Sequence, residues 1–484
     1  MSDADGHKPE GLERGLGLTD ATMLVIGSMI GSGIFIVSAE STRLVGSPGW
    51  LLAAWALAGV LTITGALSCA ELAAMWPRAG GQYVFLREAY GPGTGFLFGW
   101  GLFLVIQTGT IAAVAVAFAS FLGVLVPAVS PAVHLVPPLH LGSYAVTLTV
   151  QQAVAVAMIL LLTAVNTRGL TAGKRIQNVF TVTKTAALLG LIAAGLALGW
   201  DTGSAALSSS WWNPWANGWS PAEAQPGVGA AGAAALAMLL GRAMVGPLFA
   251  QSAWNNVTFA GGEVRDPGRN LPRALLIGCA AVVALYLLAN LAYVAVLPLD
   301  GIRDAPQRRV GVAMMERILG APGGLFMAGA ILVSTFGCIN GLILAGARVY
   351  YAMAKDGLFF ERAGRISPTT RVPVWALGVQ GVWTAFLTLT GSYGQLLDYV
   401  IFAALVFYVL TMVALFALRR KQPDLPRPYR AFGYPVVPAL YMLSALAIAL
   451  LLLVAKPEYT FSGLFIVLLG IPVYYLWRRG RGMA

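Results

Sequence analysis

Two kinds of feature in this sequence could do chemistry in a setting where polar groups are scarce. The first is Lys184, held between VFTVT and TAALLGL. In the middle of a membrane-crossing helix its charge would cost roughly 2.5–3.5 kcal/mol or more. The middle is also too far from either surface for the side chain to snorkel out, so the ammonium needs acceptors inside the protein. The second feature is a pair of interruptions. LVIGSMIGSGIFIV crowds Gly27, Gly31, Ser32 and Gly33 into one apolar run, and MVGPLFAQSAWNNVTFAGGE sets Pro247, Gln251, Ser252, Asn255 and Asn256 in another. Gly and polar residues weaken helices, and unpaired backbone in lipid costs several kcal/mol per group. Such a break is tolerated only where it lines a cavity or is buried in protein. Close helix packing through small residues would account for GSMIGSG alone, but less well for two interruptions.

Other chemistries find little support. The three cysteines (Cys69, Cys279, Cys338) all lie in apolar stretches, which leaves no disulfide framework. No His/Cys cluster has metal-ligand spacing, so no metal and no cofactor is expected. His134 and His140 fall in a Pro-rich segment that reads as a solvated outer loop. An intramembrane enzyme would need a nucleophile–base pair or metal ligands within its spans, and no histidine lies in one. A channel would call for a charged ring or a repeated filter sequence, and neither is present. Glu71 and Arg242 are the remaining intramembrane ionisable candidates. Glu71 reads as close to the inner interface, and Arg242, seven residues before Phe249, as facing an outer vestibule.

The elements that must position these residues follow from composition. Of 484 residues, 58% are hydrophobic and 11% charged, and mean hydropathy is +0.76. Soluble domains carry roughly 25% charged residues, so a soluble reading fails. Apolar stretches lie near 18–45, 50–76, 93–126, 146–166, 177–199, 229–262, 274–296, 322–354, 373–391, 392–418, 435–455 and 460–477. Numbered one to twelve in that order, they predict an all-α polytopic membrane protein of about twelve transmembrane helices. The N-terminal residues do not resemble a signal peptide, so both termini are expected to be cytoplasmic. With that orientation about 23 of the 31 Lys and Arg fall inside and about six outside. The net charge of +11 is then a topology signal rather than a nucleic-acid surface. Trp211, Trp212, Trp215 and Trp219 in the outer loop 200–228 suit the membrane–water interface.

The two interruptions fall in stretches one and six, the first members of two five-stretch sets. Paired broken helices at corresponding positions point to a transporter site built from inverted repeats. With those motifs in place, the chain resembles the amino acid–polyamine–organocation superfamily, and most closely its L-type amino acid transporter branch, as a bacterial homologue. The likeness runs from about Leu16 to Pro438. It is carried by GSMIGSGIF, AELAAMWPRAGGQYVFLREAYG, QNVFTVTKTAALLGL, FAQSAWNNVTFAGGEVRDPGRNLPRA, STFGCINGLILAGARVYYAMAKDG and RPYRAFGYPVVP, in that order. The resemblance implies a LeuT-type fold, a 5+5 inverted repeat plus two trailing helices. Its divisions would be a cytoplasmic tail (1–17), a first repeat (18–199), an extracellular loop (200–228) and a second repeat (229–418). Helices eleven and twelve with a basic tail (419–484) would follow.

The chemistry of the breaks suits an amino-acid zwitterion. The outer half-helix of stretch one would present free N–H groups and a positive dipole end, fit for a carboxylate. Gly31 and Gly33 allow close backbone approach, and the Ser32 hydroxyl can donate. Carbonyls near Ile26 and Met29 would accept from the ammonium. Similar family sites add carbonyls of the second break, here Phe249, Ala250 and Ser252, and use the aromatic matching Phe249, with Trp254 beside it, as a gate. The branch often has Gly, or in some bacterial members Asp, where this chain has Ser252, and Gln251 is also unusual, so substrate size is not implied. The lysine matching Lys184 reaches between the first and eighth helices, where sodium-coupled relatives bind sodium. Ser334 and Thr335 would be its contacts. The implied function is sodium-independent secondary transport of L-amino acids, neutral ones, by alternating access and as an exchanger. Proton-coupled symport stays open as an alternative, and so does transport of cationic amino acids or polyamines, ranked lower because no acidic residue lies near the expected pocket. The segment PAVSPAVHLVPPLHL has no cysteine where animal heteromeric relatives use one, so no disulfide-linked heavy subunit is expected. The expected location is the inner (plasma) membrane.

Overall fold

The structure, a computed structural model, describes residues 14–141, 144–199, 203–224, 232–390 and 393–480. All twelve apolar stretches contain helix. Among the described residues nine helices are long and apolar enough to cross a bilayer, or ten if the bent pair in stretch one counts as a span. Val150–Asn166 and Val374–Leu389 are apolar but shorter. The chain is therefore a polytopic helical membrane protein. Its outward side chains match that solvent: Val182, Phe326, Val382 and Val454 are exposed, as expected where lipid replaces water.

Stretch one is two helices, Leu18–Met29 and Gly33–Val45, meeting at 45°. Stretch six runs as helix over Gly232–Ala250, loses helical form, and resumes only as the four-residue turn Asn256–Phe259. Its second half is thus shorter than the apolar pattern to residue 262 suggests, because Gly261 and Gly262 lead into a 3-10 turn. Stretch three, Pro92–Leu125, carries a π-helical turn at Leu102–Ile106. The extra residue leaves the Phe103 carbonyl to accept from the Thr108 hydroxyl (2.7 Å).

Stretch four begins later than its hydropathy indicates. Strand β1 (His134–Leu141) pairs antiparallel with β2 (Tyr144–Thr149), so residues 146–149 belong to a hairpin. The run YAVTLT is rich in β-branched and aromatic residues, which favour strand. Thr149 then ends the strand and caps the helix: its hydroxyl accepts from Gln152 N (3.2 Å), and the Gln152 side chain accepts from Thr149 N (2.9 Å).

Two buried carboxylates tie helix ends together. Glu71 accepts from Arg419 (2.9 and 2.6 Å) and from Ala431 N (2.6 Å), with Arg427 at 3.3 Å. Glu263, just after the stretch-six break, accepts two bonds from Arg348 of stretch eight (2.5 and 2.9 Å). Removing one partner of a buried pair strands the other charge and costs about 3–5 kcal/mol. Glu263→Gln is therefore expected to lower the unfolding temperature of the detergent-solubilised protein by several degrees. A change within scatter would show the pair to be dispensable.

Candidate functional site

Stretch one breaks because Ile30 takes an extended conformation (φ −73°, ψ 99°) and the chain restarts as helix at Gly33. Among the described residues, the N–H groups of Gly31, Ser32, Gly33 and Ile34 have no hydrogen-bond partner. The Ser32 hydroxyl is buried and also unpartnered. Five donors thus lie on four consecutive residues at the start of a helix, the arrangement that binds anions.

The carbonyls on the other side of the break are occupied. Ile26 O accepts from Ile30 N (2.9 Å), and Met29 O accepts from the Tyr286 hydroxyl (3.0 Å). The expected free acceptors at Ile26 and Met29 are therefore engaged in this conformation. Tyr286, from stretch seven, was not legible as part of the site, since an aromatic in an apolar helix reads as core. Lys184 takes two more carbonyls, Gly27 O (2.5 Å) and Ile30 O (2.8 Å), and is 1% exposed. In this conformation, among the described residues, it makes no hydrogen bond to Ser334 or Thr335 of stretch eight. Thr335 donates back to Ile331 O (2.8 Å) in its own helix, and the Ser334 hydroxyl is buried without a partner. The break in stretch one instead turns the Gly27 and Ile30 carbonyls toward the ammonium, and these satisfy it.

The second break meets the first. A Cβ on Gly33 would lie 2.5 Å from Ala250 Cβ and 2.8 Å from its Cα, so the two interruptions touch backbone to backbone. Gly31 abuts the side chain of Cys338 of stretch eight, with a Cβ reaching 3.0 Å from its sulfur. At Phe249 the carbonyl accepts from both Ser252 N (3.0 Å) and the Ser252 hydroxyl (2.7 Å), closing the helix end. Ala253 follows with φ of 66°, a left-handed conformation that costs a non-glycine residue about 1–3 kcal/mol. Gln251 bridges the break to stretch two, accepting from Thr62 (3.0 Å) and donating to Trp55 O (3.4 Å). Trp254 is buried and stacks on Tyr408 of stretch ten at 5.2 Å.

Beside this break is a small cavity. Gln107, Thr110, Ser252, Asn255, Asn256 and Tyr408 are among its lining residues, and none of the lining side chains carries a charge. Of the expected site residues, Ser252 lines this cavity, while Gly33 and Ala250 meet at the junction of the breaks. Leu102 and Ile106, the ends of the π-helical turn, also line it. Turns of this kind mark functional sites often, and an unbroken apolar run gave no warning of one here. Among the described residues no group of three or more His, Cys, Asp or Glu could hold a metal.

The comparisons agree with this architecture. A family profile described as amino acid permease matches residues 16–474. The human b(0,+)-type amino acid transporter 1 is 30% identical over 97% of this chain and 89% of its own length. The mouse large neutral amino acids transporter small subunit 2 is 30% identical over 96% of this chain and 81% of its own. The serine/threonine exchanger SteT of Bacillus subtilis is 29% identical over 96% and 97%. A broken-helix membrane protein matched along nearly its whole length by transporters is itself a transporter and not an enzyme: the chain belongs to the amino acid permease family of the amino acid–polyamine–organocation superfamily.

Proposed function

We propose that the protein is a sodium-independent transporter of neutral L-amino acids that works by alternating access, as an exchanger. The observation that carries this reading is the row of unpartnered donors at Gly31, Ser32, Gly33 and Ile34. It supplies the carboxylate half of a zwitterion site at the point where the chain is broken. The ammonium half would come from carbonyls of Ala250 and Ser252, and from Ile26, Met29 and Phe249 as their present partners give way. Phe249 and Trp254 act as gates. The uncharged lining of the adjoining cavity favours neutral over cationic side chains. Exchange is supported by the relative named as an exchanger. Independence of sodium is supported by Lys184, whose ammonium already occupies the carbonyls a soluble cation would seek.

The same reading takes the twelve stretches as twelve spans, five and five in inverted repeat (18–199 and 229–418) with two trailing. Both termini then lie in the cytoplasm, and the location is the inner membrane. The test is uptake of labelled amino acids into proteoliposomes, with and without internal amino acid, sodium and a pH gradient. Uptake driven by internal amino acid and indifferent to sodium is expected. Strict sodium dependence, or accumulation that needs only a proton gradient, would replace exchange by symport.

Two smaller predictions follow the site and its partners. Ser32→Ala removes one donor of five and leaves the backbone intact, so substrate affinity should fall only severalfold, as for one hydrogen bond of about 0.5–1.5 kcal/mol. Isothermal titration would read this, and complete loss of binding would mean that the hydroxyl, not the backbone, holds the carboxylate. Cys69, Cys279 and Cys338 are all buried free thiols. The protein should therefore run as a single chain on non-reducing gels of membranes, and a reductant-sensitive adduct would contradict this.

A further inference from the structure

Arg242 is 8% exposed, and its Nη1 atom is buried without a hydrogen-bond partner. The sequence reading placed it facing an open outer vestibule; here it is enclosed. Among the described residues it makes no ion pair, although the fields of two carboxylates, Glu40 and Asp398, reach it. Both are committed elsewhere. Glu40 pairs with Arg43 (2.6 Å) and lies 3.8 Å from Arg308, and Asp398 pairs with Lys456 (2.5 Å). A buried guanidinium held near negative charge but bonded to none is a costly arrangement. It is also a prepared one, since a planar donor fork is preorganised for a carboxylate. Arg242 precedes the gate residue Phe249 by seven residues, two turns outward along the same helix Gly232–Ala250. At that spacing both side chains fall on one face. The next residue, Ala243, accepts from the Ser41 hydroxyl (2.9 Å), so this turn is packed on the outer half of broken stretch one.

We infer that Arg242 is an outer carboxylate subsite, which engages the carboxylate of an arriving amino acid before it passes Phe249. This rests on the transport reading above and adds to it a second place of binding. The two breaks hold the substrate centrally, while Arg242 meets it on the outer side.

The experiment uses uptake from the medium into cells expressing the full chain, with propionate, a carboxylate without an amino group, as the probe. External propionate should compete with uptake in the wild type. Arg242→Gln should abolish that competition and raise the external half-saturation concentration by about tenfold, the loss of one charge-assisted contact. Arg242→Lys should retain a weakened competition, which guards against a misfolded glutamine variant. Efflux measured from inside should keep its half-saturation. Unchanged external half-saturation in a well-expressed Arg242→Gln protein would overturn the subsite. So would Asp398→Asn reproducing the whole effect, because Arg242 would then serve a gate pair with Asp398. Absence of amino-acid uptake in the wild type would instead count against the transport reading itself.

Discussion

Lys184→Ala is expected to reduce amino-acid exchange in proteoliposomes by at least about tenfold, the effect of 1.4 kcal/mol on one step of the cycle. The substitution strands Gly27 O and Ile30 O, which now accept from the ammonium at 2.5 and 2.8 Å. Each buried acceptor left unpaired costs about 1–3 kcal/mol. It also opens a void where a fully buried side chain had been. Lys184→Met separates the contributions, because it fills the space and removes only the charge and its donors. If charge is what matters, methionine should be as damaging as alanine. Two roles for the ammonium then part company. A permanently charged strut gives flux indifferent to a proton gradient. A lysine that loses its proton during the cycle gives gradient-driven accumulation, which the methionine variant lacks. Wild-type exchange in either variant would defeat the assignment.

Gly33→Val should nearly abolish substrate binding. The first atom of the new side chain would sit 2.5 Å from Ala250 Cβ and 2.8 Å from Ala250 Cα, closer than real Cβ atoms approach anything, and one of the two is backbone. Relief requires the breaks to separate, which moves the Gly31–Ile34 donors away from the carbonyls opposite. The expected loss of affinity is about a hundredfold or more, in line with displacing a set of aligned donors rather than one. Gly33→Ala is a milder probe, and pairing it with Ala250→Gly should recover part of the binding, since one of the two clashing atoms is then gone. Gly31→Ala should be gentler still, because its neighbour at 3.0 Å is the Cys338 sulfur at a side-chain end. Normal binding by a folded Gly33→Val protein would rule out the contact as part of the site.

How far the sequence could be read divides along physical lines. Composition and hydropathy made the spans legible, because lipid imposes a length and an apolar surface on each. The breaks were legible for the same reason in reverse: Gly31–Gly33 and Gln251–Asn256 are polar or flexible where lipid permits neither. Lys184 stood out through the cost of its charge. What it bonds did not, since that depends on which carbonyls the bent chain turns toward it, a matter of tertiary geometry. The occupation of Met29 O by Tyr286 was hidden for the same reason. The π-helical turn at Leu102–Ile106 and the left-handed Ala253 leave no trace in residue type, being conformations that packing imposes on ordinary side chains. The β1–β2 hairpin was misread because alternating β-branched residues score as apolar whether they form strand or helix.

The two bonds from Lys184 to the first break also bear on how the protein is made. Synthesis is vectorial, so residues 18–45 reach the membrane well before Lys184 leaves the ribosome. Until then Gly27 O and Ile30 O lack the ammonium that satisfies them, and a break facing lipid is costly. The first segment should therefore enter the bilayer unbroken, or wait at its surface, and bend only when the fifth segment docks. Its kink would be a product of assembly rather than of insertion. A chain truncated at Asn166 would reveal the difference: a cysteine at position 32 should react with membrane-impermeant thiol reagents unlike the same cysteine in the complete protein.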